Sequence, residues 1–198
     1  MRSLRFSSAL VFVFSVFLLS PSVATAQDDG PRQAFWLNGG LGSGFNEEME
    51  FGGSGYVRLG TTLGSHFLIG GQVMQFRDEV QSVQQNPNDP TDPQVIEATL
   101  TKTNVGAIVA AYPSATGSFF FKAGVGYGRQ EASADAGDIT VSASRDMLGT
   151  NLGIGHDFRL GNGNLYLTPN IDAMLQIPDL EIGNTDATFL VTVGLGFY

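Results

Sequence analysis

The sequence predicts an all-β fold, an eight-stranded antiparallel up-and-down transmembrane β-barrel. Three observations predict it: apolar residues alternate with small or polar ones over most of residues 27–198, short turns alternate with long polar links, and 26 of the 198 residues are glycine. Alternation with a period of two is typical of a strand whose two faces meet different surroundings. A face that stays apolar over about ten residues has the length that a tilted strand needs to cross the hydrocarbon of a bilayer.

The first 26 residues are predicted to be a cleaved secretory signal peptide. Arg2 and Arg5 precede an apolar stretch, and Ala24 and Ala26 are the small residues that signal peptidase prefers before Gln27. The apolar stretch is too short to span a bilayer as a helix. Cleavage before Gln27 leaves residues 27–198 as the barrel domain, and the loss of the two arginines changes the formal net charge from -9 to -11.

The alternation also predicts which residues face outward. In the clearest segment, Phe119, Phe121 and Val125 share one face, whereas Lys122 and Gly124 share the other. The same pattern occurs in residues 35–42, 56–63, 102–111, 148–155, 165–176 and 189–198. The segment 67–76 is less regular, because its Met74 and Phe76 fall on the face of Gln72. Its parity, that is, which alternate residues face outward, is therefore not decided by the sequence.

The connections set the number of strands. Short turns are predicted at residues 63–66, 113–117 and 159–164, where glycine and asparagine favour tight reversals. Longer polar links run over residues 45–51, 77–94, 129–139 and 176–186. Four long links that alternate with three short ones join eight strands and bring all the long links to one end of the barrel. Residues 86–93 contain three prolines and are expected to form a turn-rich tip, since proline opposes regular pairing.

The two faces fit a membrane barrel better than a soluble one. The face opposite the apolar one is mostly Gly, Asn, Thr and Ser, which suits the narrow interior of an eight-stranded barrel. Closure then satisfies the backbone hydrogen bonds that lipid cannot. Aromatic residues near the strand ends predict two belts at the membrane interfaces: Phe35, Trp36, Phe67, Tyr112, Phe119, Phe158, Tyr166, Phe197 and Tyr198 at the short-turn end, and Phe45, Phe51, Phe76, Tyr127 and Phe189 at the other. A soluble β-sandwich or lipocalin-like barrel is the alternative.

The signal peptide, the amphipathic strands, the short turns against long loops and the terminal residues 192–198 resemble the small outer-membrane β-barrel family of the OmpX, OmpW and OmpA-transmembrane-domain type. The resemblance covers essentially all of residues 27–198. It implies a location in the bacterial cell outer membrane, with the long links outside the cell. It also implies that the final strand is an assembly signal read by the barrel-assembly machinery, and the residues of that signal are Phe189, Val191, Val193, Leu195, Phe197 and Tyr198. The alternation places Phe197, rather than Tyr198, on the lipid face.

The partners expected on this basis are outer-membrane lipid and, during biogenesis, the assembly machinery and periplasmic chaperones. We expect a monomer. Nucleic acid is not expected as a partner, because the chain is acidic and has no cluster of Lys and Arg. No cofactor is expected.

The predicted topology gathers acidic residues at the extracellular end, where only Arg77, Arg129 and Arg145 are basic. The acidic residues are Glu47, Glu48, Glu50, Asp78, Glu79, Asp89, Asp92, Glu97, Glu131, Asp135, Asp138, Asp146, Asp179, Glu181 and Asp186. This rim either gathers cations or is a solvated surface that resists aggregation. The second interpretation is favoured, because no spacing matches a defined metal-binding loop, and we expect no metal site.

Parity places Arg58, Lys102, Lys122 and Asp172 in the lumen as a polar cluster, with Asp157 near the periplasmic end. Charges in a narrow lumen are costly unless they are paired. The sequence therefore predicts a polar plug built from Arg58, Lys122 and Asp172 with asparagines at positions 104, 151 and 170. A selective conduit lined by the same groups is the alternative, although small barrels are more often filled.

These patterns indicate a non-enzymatic structural or surface-interaction protein, with an adhesion-like role. The alternatives are a narrow channel for small hydrophobic or ionic solutes and, with less support, a lipid-modifying outer-membrane enzyme. His66 and His156 both map near short turns at the periplasmic end, and His156 and Asp157 point to opposite faces as neighbours on a strand. Residues 95–102 and 139–145 continue the strand pattern beyond the membrane, so a protruding sheet with an open edge could bind partners by strand addition.

Overall fold

The computed structural model describes residues 35–86, 89–136, 139–178 and 185–198. The predicted signal peptide, with Ala24, Ala26 and Gln27, lies outside the described residues. No helix within the described ranges is long and apolar enough to cross a membrane.

Eight strands follow one another along the chain. They are β1 (Phe35–Asn46), β2 (Phe51–Leu63), β3 (Phe67–Asn86), β4 (Asp89–Ala111), β5 (Phe119–Ala136), β6 (Ile139–His156), β7 (Leu165–Ile177) and β8 (Asp186–Phe197). A two-residue strand, Phe158–Arg159, continues β6 after an interruption at Asp157 and keeps the same register against β7.

The sheet is closed. Each strand pairs antiparallel with the next, and β8 also pairs with β1, so that every strand has two neighbours in the barrel wall. The predicted eight-stranded up-and-down barrel is therefore confirmed.

The strands are strongly staggered. Residues paired from strand to strand, followed once around the barrel from Phe35, return to β1 at Phe45. The residues between are Thr61, Ile69, Val109, Ala123, Leu152, Ala173 and Phe189. A stagger of ten residues over eight strands gives a strand tilt of about 40° and a backbone radius of about 8 Å. Such a radius leaves room in the interior for side chains only.

The outer surface of the barrel is apolar and exposed. Leu41 is 79% exposed, Val125 is 55% exposed and Leu152 is 56% exposed, whereas polar residues of the opposite face are buried. In β3 the structure decides the parity that the sequence left open, because Met74 and Phe76 are fully buried and lie inside with Gln72. An exposed apolar band around a closed barrel is the surface that lipid requires.

Several aromatic residues predicted for the membrane belts lie inside the barrel instead. Trp36, Phe76, Tyr112 and Tyr198 are each at most 5% exposed, and Tyr166 packs against the same interior. On each strand they occupy the same alternate positions as the lumen residues. Successive side chains of a strand point to opposite faces whatever their type, so these aromatics point inward. The aromatics with lipid-facing parity are Phe35, Phe67, Phe119, Phe121, Phe158 and Phe197 at the periplasmic end and Phe45, Phe51, Tyr127 and Phe189 at the other.

Four strands project beyond the barrel at the end of the long links, which is the end predicted to be extracellular. Pairing between β3 and β4 extends to Asn86 and Asp89, and pairing between β5 and β6 extends to Ala136 and Ile139. The links predicted at residues 77–94 and 129–139 are therefore mostly strand. Pro90 and Pro93 lie within a register shift, because the pairing passes from Gln84 with Gln94 to Asn86 with Asp89. We call the projecting parts of β3, β4, β5 and β6 the extracellular sheet.

The outward faces of these strands change from apolar to polar where the extracellular sheet begins. Within the barrel the outward residues are apolar, as at Val105 and Tyr127. Two to four residues further on, the outward positions are Thr101 and Arg129, and the inward positions become Leu100, Ala132 and Ala143. The apolar band of the outer surface ends at this change.

Candidate functional site

The lumen is filled by side chains in successive layers. On β7 the inward residues are Thr168, Asn170, Asp172, Met174 and Gln176, each at most 1% exposed. Polar and apolar layers alternate along this series, so the interior is a packed core crossed by polar groups.

The central layer is built on one carboxylate that faces two cations. Arg58 Nη2 on β2 lies 3.1 Å from Asp172 Oδ2 on β7, and Lys122 Nζ on β5 lies 3.0 Å from the same oxygen. All three side chains are at most 4% exposed. Burial of these charges requires mutual compensation, because the group has left water. The arrangement ties three strands together across the lumen.

Amides and one phenol complete this layer. Asn170 accepts hydrogen bonds from Lys122 and from Arg58 Nη1, the latter at 3.4 Å, and donates to Tyr56 Oη at 2.8 Å. The guanidinium of Arg58 stacks over the ring of Tyr56 at 3.8 Å from its centroid. A second amide pair, in which Gln72 donates to Asn151, lies beside it.

Two inward glycines make room for this layer. A methyl group at Gly153 would overlap Asp172 Oδ1 and lie 2.6 Å from Lys122 Cε. A methyl group at Gly124 would likewise lie 2.7 Å from Gln72 Nε2. Because the lumen is narrow, the long charged side chains fit only where a facing residue has no side chain.

Lys102 belongs to a different level of the lumen. Its Nζ lies 2.6 Å from Asp186 Oδ1 and donates to Thr188 Oγ1 at 3.2 Å. Lys122 pairs with Ala110, which is eight residues along β4 from Lys102. The structure therefore brings three of the four sequence-predicted lumen residues together and places the fourth near the extracellular mouth. Asn104, predicted for the plug, also lies at this upper level, where it accepts a hydrogen bond from Gln176 at 3.0 Å.

An apolar layer separates these two levels. Met74, Phe76, Met174 and Leu190 pack together with Tyr56, and the first four are at most 1% exposed. On β3 this layer lies between Gln72 and Asp78, and on β7 it lies between Asp172 and Gln176. Sequence reasoning did not predict it, although the common parity of Met74, Phe76 and Gln72 was a signal.

A buried carboxylate organises the periplasmic end. Asp157 is 2% exposed and accepts hydrogen bonds from Tyr112 Oη at 2.7 Å, Tyr198 Oη at 2.8 Å and Thr168 Oγ1 at 2.8 Å. Around it lies an apolar cluster that includes Trp36, Leu68, Ile108 and Phe120. The last residue of the chain is thereby fixed inside the barrel. Within the assembly-signal set, Phe189, Val193, Leu195 and Phe197 face outward with exposures of 44% to 53%, Val191 is half-buried, and Tyr198 points inward.

Two further carboxylates meet at the extracellular mouth. Asp78 is 3% exposed, and its Oδ2 has no hydrogen-bond partner. Burial, followed by the neighbouring carboxylate of Glu50, raises the pKa of Asp78 above its ordinary value. Among the described residues, no group of three or more His, Cys, Asp or Glu is placed to hold a metal ion.

The two histidines lie in unconnected settings. Nδ1 of His66 is 2.9 Å from the carbonyl oxygen of Tyr112, and the ring of His156 stacks on Phe158 with 4.3 Å between centroids. His156 is directed away from Asp157, whose carboxylate is bound by hydroxyl groups.

The extracellular sheet ends in two lateral edges. β2 pairs with β3 only as far as Gly53 and Arg77, and β7 pairs with β6 only from Leu148 downward. Beyond these points the outer edges of β3 and β6 have no paired strand among the described residues. Thr140, Val141, Ser142, Ala143 and Ser144 on the β6 edge are all exposed.

No known protein-family profile matches the chain, and no curated protein is detectably similar in sequence. Solved structures are similar in fold. Ail, the attachment invasion locus protein of Yersinia pestis, superposes with a TM-score of 0.57 at 11% identity, over 84% of this chain and 99% of that one. Ail in complex with the heparin analogue sucrose octasulfate gives 0.53 at 13% identity, again over 84% and 99%. A major outer membrane protein from Thermus thermophilus gives 0.50 at 13% identity, over 83% and 99%.

At these identities the likeness establishes the fold. The fold is that of the small outer-membrane β-barrels, and the closed wall has the exposed apolar surface that contact with lipid requires. These features place the chain in the bacterial outer membrane.

Proposed function

We propose that the chain is a non-enzymatic surface-interaction protein that binds extended segments of other proteins by strand addition to the edge of β6. The observation that carries the proposal is the edge at residues 140–144, which has no paired strand among the described residues. β6 pairs with β5 along its whole length, from Ile139 to His156, but within the part of the chain that the structure describes its other side gains a partner only at Leu148. Unpaired N–H and C=O groups on an exposed edge are a template for another strand.

The two edges of the extracellular sheet differ in how they are protected. The β3 edge begins with the charged pair Asp78 and Glu79 and contains a register shift near its tip. Charges and irregularities of this kind prevent edge-to-edge pairing. Residues 140–144 of β6, Thr-Val-Ser-Ala-Ser, contain no charge and no proline, and their β-branched residues favour a strand. The β6 edge is thus the better site for strand addition.

The filled lumen supports an interaction role over transport. Two apolar layers, one around Met74 and Phe76 and one around Trp36 and Phe120, enclose the charged central layer. Lumen charges that are paired across the barrel bind strands together. The separate settings of His66 and His156, neither of them beside a free acid, support a non-enzymatic role. Ail, which is similar in fold, is described as an attachment protein.

The test uses a charge placed on the edge and the same charge placed one strand inward. Val141→Lys puts a lysine on the open edge of β6, and Ala134→Lys puts one on the same face of β5, because Ala134 and Val141 are paired. Peptides selected from a random library for binding to the folded protein are measured against both variants. We expect Val141→Lys to abolish binding and Ala134→Lys to retain it, with hydrogen exchange at residues 140–144 slowed by the bound peptide. Equal effects of the two lysines would mean that the face, and not the edge, binds.

Planar-bilayer recording tests the closed lumen. We expect no reproducible conductance from the purified protein, because buried layers cross the interior. A reproducible conductance that changes in Lys122→Glu would instead show that the lumen conducts.

A further inference from the structure

The inner face of the extracellular sheet is apolar up to its β6 edge. Ala134 of β5 pairs with Val141 of β6, Ala132 pairs with Ala143, and all four occupy the same alternate positions as the lumen residues of their strands. Val141 is 63% exposed, and Ala143 is exposed as well. Residues directly opposite each other in neighbouring strands lie on the same face. A strand added to β6 would therefore place every second side chain beside Val141 and Ala143.

Apolar side chains fit these inner positions. Alanine at positions 132 and 143 keeps the surface next to the edge low, so a larger side chain on an added strand can lie against it. The apolar row continues away from the edge, because Ala132 also pairs with Leu100 of β4. Burial of the exposed apolar surface of Val141 favours binding. A partner strand therefore gains affinity from apolar residues at every second position.

The outer face beside the same edge is polar and carries an excess of negative charge. Its residues are Thr140, Ser142, Ser144 and Asp146 on β6 and Arg129, Glu131, Ser133 and Asp135 on β5. Three carboxylates against one guanidinium give this surface a net charge of -2. Arg129 Nε lies 2.8 Å from Glu131 Oε1, and its Nη1 lies 4.0 Å from Asp146 Oδ1. The one base is thus shared by two of the three acids.

Asp135 is the third acid, and it is exposed. It accepts a hydrogen bond from the hydroxyl group of Thr140, and none of the ion pairs among the described residues includes it. Asp135 pairs with Thr140, so it lies one strand away from the edge. An added strand would lie two strand spacings from β5, about 10 Å, which a lysine or arginine side chain and that of Asp135 can bridge over the short Thr140.

We propose that the segment bound by β6 is amphipathic and basic, with apolar residues on its inner side and a lysine or arginine opposite Thr140 that pairs with Asp135. This inference rests on the proposed addition of a strand to β6, and it states which side chains that strand carries. The apolar residues lie beside Val141 and Ala143, and the polar ones lie beside Thr140 and Ser142.

The two faces of the added strand have different roles. Main-chain hydrogen bonds and the apolar residues supply most of the affinity, as is general for strand addition. An exposed ion pair contributes little free energy, but a like charge in its place is unfavourable. The basic residue therefore gives selectivity, because it distinguishes this partner from acidic segments of the same alternation.

The experiment measures peptides against the folded protein in nanodiscs of phosphatidylcholine, with empty nanodiscs as the blank. The host peptide has about eight residues that alternate valine and threonine, a length that matches the exposed edge, and a poly(ethylene glycol) tail for solubility. A central threonine is replaced by lysine or by glutamate, and a further peptide is the lysine form with serine in place of every valine. Fluorescence anisotropy gives the affinities, and hydrogen exchange at residues 140–144 shows whether the edge is covered.

We expect the lysine form to bind about fivefold more tightly than the glutamate form, since one pairs with Asp135 and the other is repelled by it. It should bind at least about tenfold more tightly than the serine form, which lacks the apolar face. The lysine form should also slow hydrogen exchange at residues 140–144.

Substitutions of Asp135 test the ion pair. Asp135→Asn keeps an acceptor for Thr140 and removes the charge, so the preference for lysine over glutamate should fall below about twofold. Asp135→Lys should reverse the preference. Glu79→Gln is the matched control, because it removes one negative charge from the same face at the other edge of the sheet and should leave the preference unchanged. Heat-dependent gel migration checks that each variant is folded.

The outcomes separate this inference from the proposed function. Equal binding of the lysine and glutamate forms, with exchange slowed by both, would leave strand addition intact and overturn the basic residue. Tight binding of the serine form would overturn the apolar face. A loss of preference in Glu79→Gln equal to that in Asp135→Asn would show a general attraction by the acidic rim and overturn the pair with Asp135. Binding of the lysine form with unchanged exchange at residues 140–144 would overturn strand addition itself, and this inference with it.

Discussion

Asp172→Asn is expected to destabilise the barrel more than the replacement of one of its two cations by an apolar side chain. The wild-type layer contains two cations and one anion within 3.1 Å, all buried. Asparagine keeps the volume and the hydrogen-bonding atoms but leaves Arg58 and Lys122 facing each other without a counter-charge. Removal of the anion from a buried pair costs about 3 to 5 kcal/mol. This cost corresponds to a loss of about a hundredfold or more in the folding equilibrium.

Lys122→Met provides the contrast. It removes one of two cations and leaves Arg58 and Asp172 as a balanced pair, and methionine fills a similar volume. A buried charge is strongly destabilising when its partner is lost, and Lys122→Met leaves no charge without a partner. We therefore expect a change of less than about 1 kcal/mol in Lys122→Met, against about 3 to 5 kcal/mol in Asp172→Asn.

Urea unfolding from lipid vesicles measures both free energies. Trp36 is the single tryptophan of the chain and is 3% exposed, so its fluorescence reports whether the interior is packed. Gel migration without heating confirms that each variant starts from the folded barrel. If the two variants lose the same free energy, the argument from charge balance is wrong, and the layer acts through packing alone.

Three further substitutions test other parts of the interior. Gly153→Ala should cost about 1 to 3 kcal/mol, because its methyl group would overlap the central ion pair, whereas Gly163→Ala, with nothing within 4 Å of the added methyl, should be neutral in the same unfolding assay. Asp157→Asn weakens three hydrogen bonds from hydroxyl groups and should cost about 1.5 to 3 kcal/mol; an unchanged midpoint would show that the carboxylate charge contributes nothing. Asp78→Asn should raise stability near neutral pH, because burial and Glu50 raise the pKa of Asp78 and its ionisation therefore opposes folding. The advantage should disappear as the pH falls below the unfolded pKa of about 4, where Asp78 is protonated in both states, and an advantage that grows in acid would contradict this sign.

The alternation along the strands, together with the number of connections, predicted the closed barrel, and the alternation gave the inward direction of the central residues. Alternation along one strand tells which face carries Arg58, Lys122 or Asp172, and this needs no knowledge of other strands. The alternation also gave the inward direction of Tyr198. For Trp36 and Tyr112 the residue type suggested an outward direction, which was wrong. Aromatic rings near strand ends suggested lipid contact, whereas their parity directed them into the lumen.

The sequence did not predict the height at which each inward side chain lies along the barrel axis. Lys102 and Lys122 share a face, but which layer each reaches depends on the register of every hairpin and on the stagger around the wall. Register follows from turn geometry and from packing between strands that are distant in sequence. For the same reason the partner of Lys102, Asp186 on β8, was counted among the surface acids. The sequence analysis did not predict that β4 continues beyond the barrel, because Pro90 and Pro93 suggested a loop there.

The change from apolar to polar on the outward faces of β3 to β6 also fixes a hydrophobic thickness. On β5 the outward apolar residues run from Phe119 to Tyr127, and at a tilt of about 40° they span about 20 Å along the membrane normal. This span is close to the apolar band of about 25 Å that outer-membrane barrels present. A sliding movement by one outward residue would bring Arg129 into hydrocarbon or Phe119 into water. A membrane with a thicker hydrocarbon layer must therefore thin around the barrel, because a tilt of the barrel would shorten its apolar span along the membrane normal.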